Sequence, residues 1–273
     1  MLIVDAQVHP WKEGQASSHH RQSPLTIELL QHEMAQAGVD RVLLVPPLWD
    51  PSGNAYALDA ARRQPERFAV MGLPSSELLD PQIGRERLLA WKLQPGMVGL
   101  RFLLNSPERI EPLRAGALDW VWPAAEDAGL AVALLVPGRL DAAAAIAERH
   151  PRLNLIVDHL AVPRGARGPG AFQHLPDLLA LGRFPNVVVK AAGVGDYATD
   201  PYPFRSLDEP LRRVFDAFGP RRIIWASDLS RLKHPYRECV AHFAEALPWL
   251  SAEDRALIMG GNLCRITGWH GAA

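Results

Sequence analysis

The sequence predicts an α/β protein, a single-domain (β/α)8 TIM barrel, and three observations support this fold class. Eight short runs of apolar, often β-branched residues recur along the chain, and segments with helical spacing lie between them. The repeat of roughly 30 residues per strand–helix unit matches such a barrel in number and size. No low-complexity linker divides the sequence, so we treat residues 1–273 as one domain.

The predicted strands are almost continuously apolar, as expected of parallel strands that are buried on both faces. They cover residues 2–9, 41–47, 68–74, 97–104, 130–137, 154–160, 186–192 and 222–229.

The predicted helices have apolar residues three and four positions apart, and several end at a glycine just past the last apolar position. A doubly wound open sheet is the alternative fold. However, no G-x-G-x-x-G motif follows the first strand, and such a sheet would leave an edge to explain. The helical segments cover residues 26–38, 54–64, 84–92, 118–129, 140–150, 171–182 and 207–219, and residues 235–269 supply the eighth helix and a closing segment.

Composition excludes several classes of function. The net charge of −1 provides no basic field for nucleic acid. No apolar run approaches the roughly 18 to 20 residues that span a bilayer, and the N-terminus does not resemble a signal peptide. The only cysteines, Cys239 and Cys264, fit a reduced interior better than a disulfide scaffold. We expect a cytoplasmic protein that acts on a small molecule, without nucleic-acid or membrane partners; homo-oligomerisation stays open.

Polar residues cluster where the predicted strands end, and in such barrels the chemistry lies at the carboxyl ends of the strands. Residues two apart in a strand share a face, so Gln7 and His9 point the same way. Five strands contribute polar side chains that we expect to converge on one mouth: Asp5, Gln7 and His9; Arg101 and Asn105; Asp158 and His159; Lys190; Ser227 and Asp228.

Each of these residues also has a structural interpretation. A single histidine at a strand end is more often a hydrogen-bonded structural residue than a catalyst. Arg101 and Lys190 lie inside apolar runs, where an unpaired cation is costly, so each needs an anionic partner. Asp228 is the strongest single candidate, because it is a charged residue directly after the mostly apolar run "RIIWAS".

Residues near the predicted mouth are less specific signals. Trp11 and Trp49 indicate a partly apolar, ring-shaped substrate, or they are packing residues. His19 and His20 lie in the polar segment 12–24, which we interpret as a surface loop that could cover the mouth.

The strand-end motifs together resemble the amidohydrolase superfamily, specifically its amidohydrolase-2 branch. The resemblance implies a barrel that hydrolyses amides, esters or lactones, or that decarboxylates its substrate. The motifs are "VDAQVHPW", "GLRF", "VDHLAVP", "VVVKAAG", "WASDLSRL" and "GNLCRITGW".

The resemblance implies a metal site whose ligands are H-x-H on strand 1, a histidine after each of strands 5 and 6, and an aspartate on strand 8. This chain departs from the pattern at Gln7 and at Val136–Pro137 of strand 5. Only His9, His159 and Asp228 match, which is a weak ligand set for zinc. We therefore expect no metal cofactor; the alternative is one zinc or manganese ion on these three residues.

The branch includes metal-independent lactonases that act on 2-pyrone-4,6-dicarboxylate, and it includes sugar lactonases. Val162 stands where the former have an arginine, which makes the same dicarboxylate doubtful. Residue types match those lactonases at Arg101, His159, Lys190, Arg205 and Asp228.

We therefore predict a lactonase or ester-type hydrolase for a small, anionic, cyclic substrate, with Asp228 as the base that deprotonates water. His9 and His159, with Lys190 or Arg101, would polarise the carbonyl, and Gln7 would orient His9 or the water. A metal-dependent amidohydrolase or decarboxylase and a non-catalytic binding barrel are the alternatives. The predicted substrate-binding residues are Arg101, Gln7, Arg205, Asn105, Trp11 and Trp49.

Overall fold

Eight parallel strands form one sheet whose order follows the sequence from β1 to β8. The computed structural model describes residues 1–16 and 19–270. The predicted (β/α)8 barrel is confirmed, and each predicted strand is present. The strands are β1 Val4–Val8, β2 Arg41–Leu44, β3 Phe68–Gly72, β4 Met97–Leu103, β5 Ala131–Leu135, β6 Leu155–Val157, β7 Val187–Ala192 and β8 Ile223–Ala226.

Helices surround the barrel, and α4 is the one that lies outside the predicted segments. It has a proline in its first turn and another inside it, and Ile110 is its one buried residue, so it carries almost no apolar periodicity. The helices are α1 Ile27–Ala37, α2 Asn54–Arg63, α3 Gly84–Lys92, α4 Pro107–Arg114, α5 Val121–Asp127, α6 Leu140–Arg149, α7 Leu175–Ala180, α8 Asp208–Phe218, α9 Tyr236–Ala241, α10 Ala252–Ala256 and α11 Asn262–Thr267.

The barrel closes between β1 and β8 through one buried carboxylate. Asp5 accepts a hydrogen bond from the backbone N–H of Ser227 at 2.9 Å and another from the Tyr236 hydroxyl at 2.6 Å. The backbone N–H of Asp228 donates to the carbonyl oxygen of Gln7 at 3.1 Å. Burial raises the pKa of Asp5. Asp5 is thus a structural link across the seam between β1 and β8.

Three strands, β2, β6 and β8, end three residues earlier than the sequence predicted, and in β6 and β8 the cause is the backbone conformation. β6 stops at Val157 and β8 at Ala226, whereas the predicted runs continued to residues 160 and 229. The reason is a left-handed backbone at His159, Leu160, Ala161 and Asp228, with φ between 52° and 56°. A strand cannot continue through such a conformation.

The end of the barrel opposite the strand carboxyl ends is sealed by the C-terminal segment. Leu263 and Ile266 of α11 pack with Val4 and Ala131 in an inner core cluster. The indole N–H of Trp269 donates to the carbonyl oxygen of Pro65 at 2.9 Å. In the described part of the chain, we find no helix with the length and apolar character that crossing a bilayer requires.

His242 is a buried imidazole away from the mouth. It is 1% exposed and lies between the rings of Phe204 and Phe243, each centred 5.3 Å away. Burial, with a smaller contribution from Arg205, lowers the pKa of His242 to about 4.

We expect His242→Leu to flatten the pH dependence of stability. The unfolded chain takes up a proton near pH 6.5, but the folded imidazole does so only near its pKa of about 4. The stability from the neutral ring is therefore complete above pH 6.5 and is lost as the pH falls towards 4, by up to about 3 kcal/mol.

Urea unfolding at several pH values between 4 and 7.5 measures this slope. His32→Leu, at an exposed histidine of α1, is the matched control and should keep the wild-type slope. An unchanged slope in His242→Leu would contradict the assignment.

Candidate active site

A cavity of about 550 Å³ opens at the carboxyl ends of the strands. One carboxylate, Asp228, lies on its wall, together with three imidazoles and four guanidinium groups. These lining residues are His9, His19, His159, Arg101, Arg109, Arg164, Arg231 and Asp228.

His9 is oriented by the backbone of the neighbouring strand. Its Nδ1 lies 2.7 Å from the carbonyl oxygen of Val45. A carbonyl oxygen only accepts, so Nδ1 carries the proton and donates it. The Nε2 atom then faces the Asp228 carboxylate, 3.3 Å from Oδ1.

Asp228 directs its carboxylate into the cavity from the left-handed residue that follows β8. Its Oδ2 lies 3.6 Å from Nε of Arg231 and 3.8 Å from Nε2 of His159. Burial on its own would raise the pKa of Asp228. However, the His9 contact and the charges of His159 and Arg231 outweigh it and hold the pKa well below the usual range. The carboxylate is therefore ionised at neutral pH.

A buried charge cluster beneath the cavity centres on Asp158. Its Oδ2 accepts from Nε of Arg101 at 2.7 Å, and its Oδ1 lies 2.7 Å from Nζ of Lys190. Burial on its own would raise the pKa of Asp158, but the two cations hold it well below the usual range. Asp158 is thus the internal anionic partner that both cations require.

Lys190 lies below the cavity rather than on its wall. Its side chain is fully buried, between Asp158 and the side-chain oxygen of Gln7, to which Nζ donates at 3.1 Å. Burial lowers the pKa of Lys190. The structure therefore does not bring this ammonium to a place where it could polarise a substrate carbonyl directly.

Gln7 contacts His159 rather than His9. The amide Nε2 of Gln7 lies 2.9 Å from Nε2 of His159, and Nδ1 of that ring lies 3.3 Å from the carbonyl oxygen of Ala192. Burial is the main cause that lowers the pKa of His159, to about 4. The imidazole is consequently neutral at physiological pH.

The other predicted substrate-binding residues divide into two groups. Asn105 and Trp49 line the cavity. Trp11 is fully buried and packs edge-on against Trp49, with ring centroids 5.5 Å apart. Arg205 lies at the surface, where it donates to Asp208 and to the carbonyl oxygen of Ala246, so the structure does not place it at the cavity.

Several cavity residues come from loops that sequence reasoning passed over. His19, which we had interpreted as a surface residue, lines the cavity, and its Nδ1 lies 2.7 Å from the hydroxyl of Ser230. Burial, with the nearby His9, lowers the pKa of His19 to about 3. Arg231, three residues after Asp228, is a guanidinium that proximity to a candidate could have indicated, as is Arg109, four residues after Asn105. The predicted cover over the mouth rests partly on residues 17 and 18, outside the described residues.

The metal site implied by the resemblance does not match the donors present. His159 directs the nitrogen that would bind a metal at the Gln7 amide, which is a hydrogen-bond donor. Val136 and Pro137 carry no donor side chain at the strand-5 position. Within the described ranges, no group of three or more His, Cys, Asp or Glu side chains is arranged to hold a metal ion.

These features define a barrel enzyme with one ionised carboxylate and several imidazoles at its mouth. The chain matches the amidohydrolase family over residues 4–265 and belongs to that family, so it is a hydrolase. It is 29% identical over 283 residues to an L-fucono-1,5-lactonase from Burkholderia ambifaria, an alignment that covers 96% of this chain and 93% of the relative.

Two solved structures share the fold. One is an amidohydrolase from Burkholderia multivorans with bound zinc, at a TM-score of 0.80 and 22% identity, with 98% of this chain and 99% of that chain covered. The other, from Pseudomonas putida, has the provisional name 2-pyrone-4,6-dicarboxylic acid hydrolase; its TM-score is 0.75 and its identity 20%, with 99% of each chain covered. At these identities the likeness concerns the fold.

Proposed function

We propose that this protein is a metal-independent lactonase in which Asp228 is the general base. The observation that carries the proposal is the ionised Asp228 carboxylate, which lies on the cavity wall with His9 and Arg231 beside it. The similarity to a sugar lactonase over nearly the whole chain supports an ester ring as the substrate.

In the proposed reaction, water attacks the carbonyl carbon of the lactone while Asp228 accepts a proton from that water. The carbonyl electron pair moves onto oxygen and forms a tetrahedral oxyanion. When the intermediate collapses, the ring C–O bond breaks, and the proton on Asp228 passes to the departing alkoxide. The product is an open-chain hydroxy acid, and the carboxylate of Asp228 is regenerated.

The oxyanion is stabilised by groups that reach the cavity. Arg101 is held by Asp158 through Nε, which leaves its terminal nitrogens to donate elsewhere. His9 and Arg231 border the base itself. Preorganised donors such as these two arginines are usually the largest contribution to catalysis in acyl transfer. Lys190 contributes only from beneath, through Gln7 and Asp158.

The substrate that fits the cavity best is a small cyclic ester with negatively charged or several hydroxyl substituents. Four arginines face one aspartate across about 550 Å³, which favours anions. Trp49, Pro46 and Pro47 form an apolar part of the wall suited to a ring. Arg164 lies on the wall two residues after Val162, so the loop after β6 still places a cation at the cavity.

We expect Asp228→Asn to lower kcat by roughly 10²- to 10⁴-fold because the amide cannot accept a proton from water. The measurement is acid release in a pH-stat across a lactone panel that includes L-fucono-1,5-lactone. Asp59→Asn, at a surface aspartate paired with Arg63, is the control. If Asp228→Asn keeps near-full activity and a wild-type melting curve, Asp228 is not the base.

We expect Arg101→Met to raise KM for an anionic lactone, whereas Arg205→Met leaves KM unchanged because Arg205 lies away from the cavity. Initial rates over a range of substrate concentrations separate KM from kcat. Arg101→Lys retains a charge beside Asp158, so it shows whether a loss of activity in Arg101→Met comes from misfolding. Equal KM values in the Arg101 and Arg205 variants would assign Arg101 a structural role.

We expect activity to survive extensive dialysis against chelator, with no stoichiometric metal in protein purified without chelator. The physical reason is that the His159 ring directs Nε2 at an amide donor. Elemental analysis and assays before and after zinc or manganese addition test this. Stoichiometric metal together with chelator-sensitive turnover would favour the metal-dependent alternative on His9, His159 and Asp228.

A further inference from the structure

We propose that Lys190 and Gln7 are positioning residues that hold His159 as the neutral tautomer with its proton on Nδ1. As a result, Asp228 rather than His159 accepts the proton from water. The tautomer stands on hydrogen-bond geometry alone, and its catalytic consequence rests on the proposed lactonase function.

The chain of contacts begins at a buried ammonium. Nζ of Lys190 lies 2.7 Å from Asp158 and 3.1 Å from the side-chain oxygen of Gln7, and the lysine side chain is fully buried. An ammonium only donates hydrogen bonds, so the group of Gln7 that faces it must be the amide oxygen. Lys190 therefore fixes which way round the amide lies.

The amide then determines the state of the histidine ring. With its oxygen on Lys190, Gln7 presents its NH2 group to Nε2 of His159 at 2.9 Å. Two donors cannot share that contact, so Nε2 must accept. A neutral ring then carries its proton on Nδ1, which lies 3.3 Å from the carbonyl oxygen of Ala192 and donates to it.

This arrangement gives the two imidazoles at Asp228 different roles. His9 keeps its proton on Nδ1, bonded to the carbonyl oxygen of Val45, and its unprotonated Nε2 lies 3.3 Å from Oδ1 of the carboxylate. His159 lies at 3.8 Å from Oδ2, beyond hydrogen-bond distance, and its Nε2 lone pair is already engaged by Gln7. His159 can therefore neither remove a proton from water through Nε2 nor compete with water for Oδ2.

The substitution that tests the proposal is Gln7→Glu, which keeps the side-chain shape and replaces the amide donor with a second acceptor. A glutamate at this position would still accept from Lys190, but it would require a proton on Nε2 of His159. Gln31→Glu is the matched control, because Gln31 donates to the side-chain oxygen of Gln64 on the outer face of α1.

The measurement is side-chain ¹⁵N NMR of histidine-labelled protein near pH 7.5, with the His159 signals assigned by their loss in His159→Asn. We expect the proton on Nδ1 in the wild type and in Gln31→Glu, and a proton on Nε2 in Gln7→Glu. A wild-type His159 ring protonated on Nε2 would overturn the proposal without any variant. So would a folded Gln7→Glu protein with the wild-type His159 signals.

Kinetics separates this proposal from the proposed function. With a lactone from the panel, Gln7→Glu should lower kcat about 10- to 100-fold with little change in KM, whereas Gln31→Glu should match the wild type. An unchanged kcat in Gln7→Glu would overturn the catalytic part. If the wild type hydrolyses no lactone, the proposed function fails, and the NMR result still decides the tautomer.

Discussion

The mouth of this barrel depends on one buried carboxylate, Asp158, and the two cations that it holds. An ionised carboxylate without partners is very costly in a barrel core, and removing one partner of such a pair typically costs about 3–5 kcal/mol. Arg101 and Lys190 both meet Asp158 at 2.7 Å. An ammonium has three N–H groups, so Lys190 donates to Gln7 as well as to Asp158. The arrangement of side chains at the carboxyl ends of the strands thus starts from this buried ion cluster.

Backbone conformation determines where the reactive groups lie. The left-handed φ angles at His159 and Asp228 end two strands early and turn these side chains toward each other. Such conformations cost roughly 1–3 kcal/mol each at non-glycine residues and persist where the surroundings over-determine them. At Asp228 the surroundings include the hydrogen bond from its own N–H to the carbonyl oxygen of Gln7, across the seam of the barrel. The same hydrogen bond therefore links closure of the barrel to the placement of the Asp228 carboxylate.

The sequence predicted the strands well because parallel strands buried on both faces leave a strong apolar signal, and polar residues in those runs marked the mouth. The sequence did not indicate how deep each of these side chains lies below the mouth. Arg101 and Lys190 interrupt apolar runs in the same way, yet Arg101 reaches the cavity and Lys190 lies beneath it. Nor did it find His19 or Arg164, because loops carry no periodicity that relates sequence position to a wall of the cavity. Arg205 matched a motif, but its turn before α8 faces outward.

The same geometry favours an ester ring over an amide as the substrate of the proposed reaction. In the proposed metal-independent mechanism, activation of the carbonyl falls to the fixed donors Arg101 and Arg231. The Asp228 carboxylate, whose pKa is held below its usual range, is ionised at neutral pH and is a weak base. An alkoxide departs more readily than an amine. An ester therefore needs less activation of its carbonyl and a weaker base than an amide does. Hydrolysis also converts an ester into a carboxylate, so negative charge grows along the reaction within a wall of four arginines. In the proposed reaction that wall stabilises the charge as it develops, and stabilisation of the transition state, more than initial binding, is what accelerates a reaction.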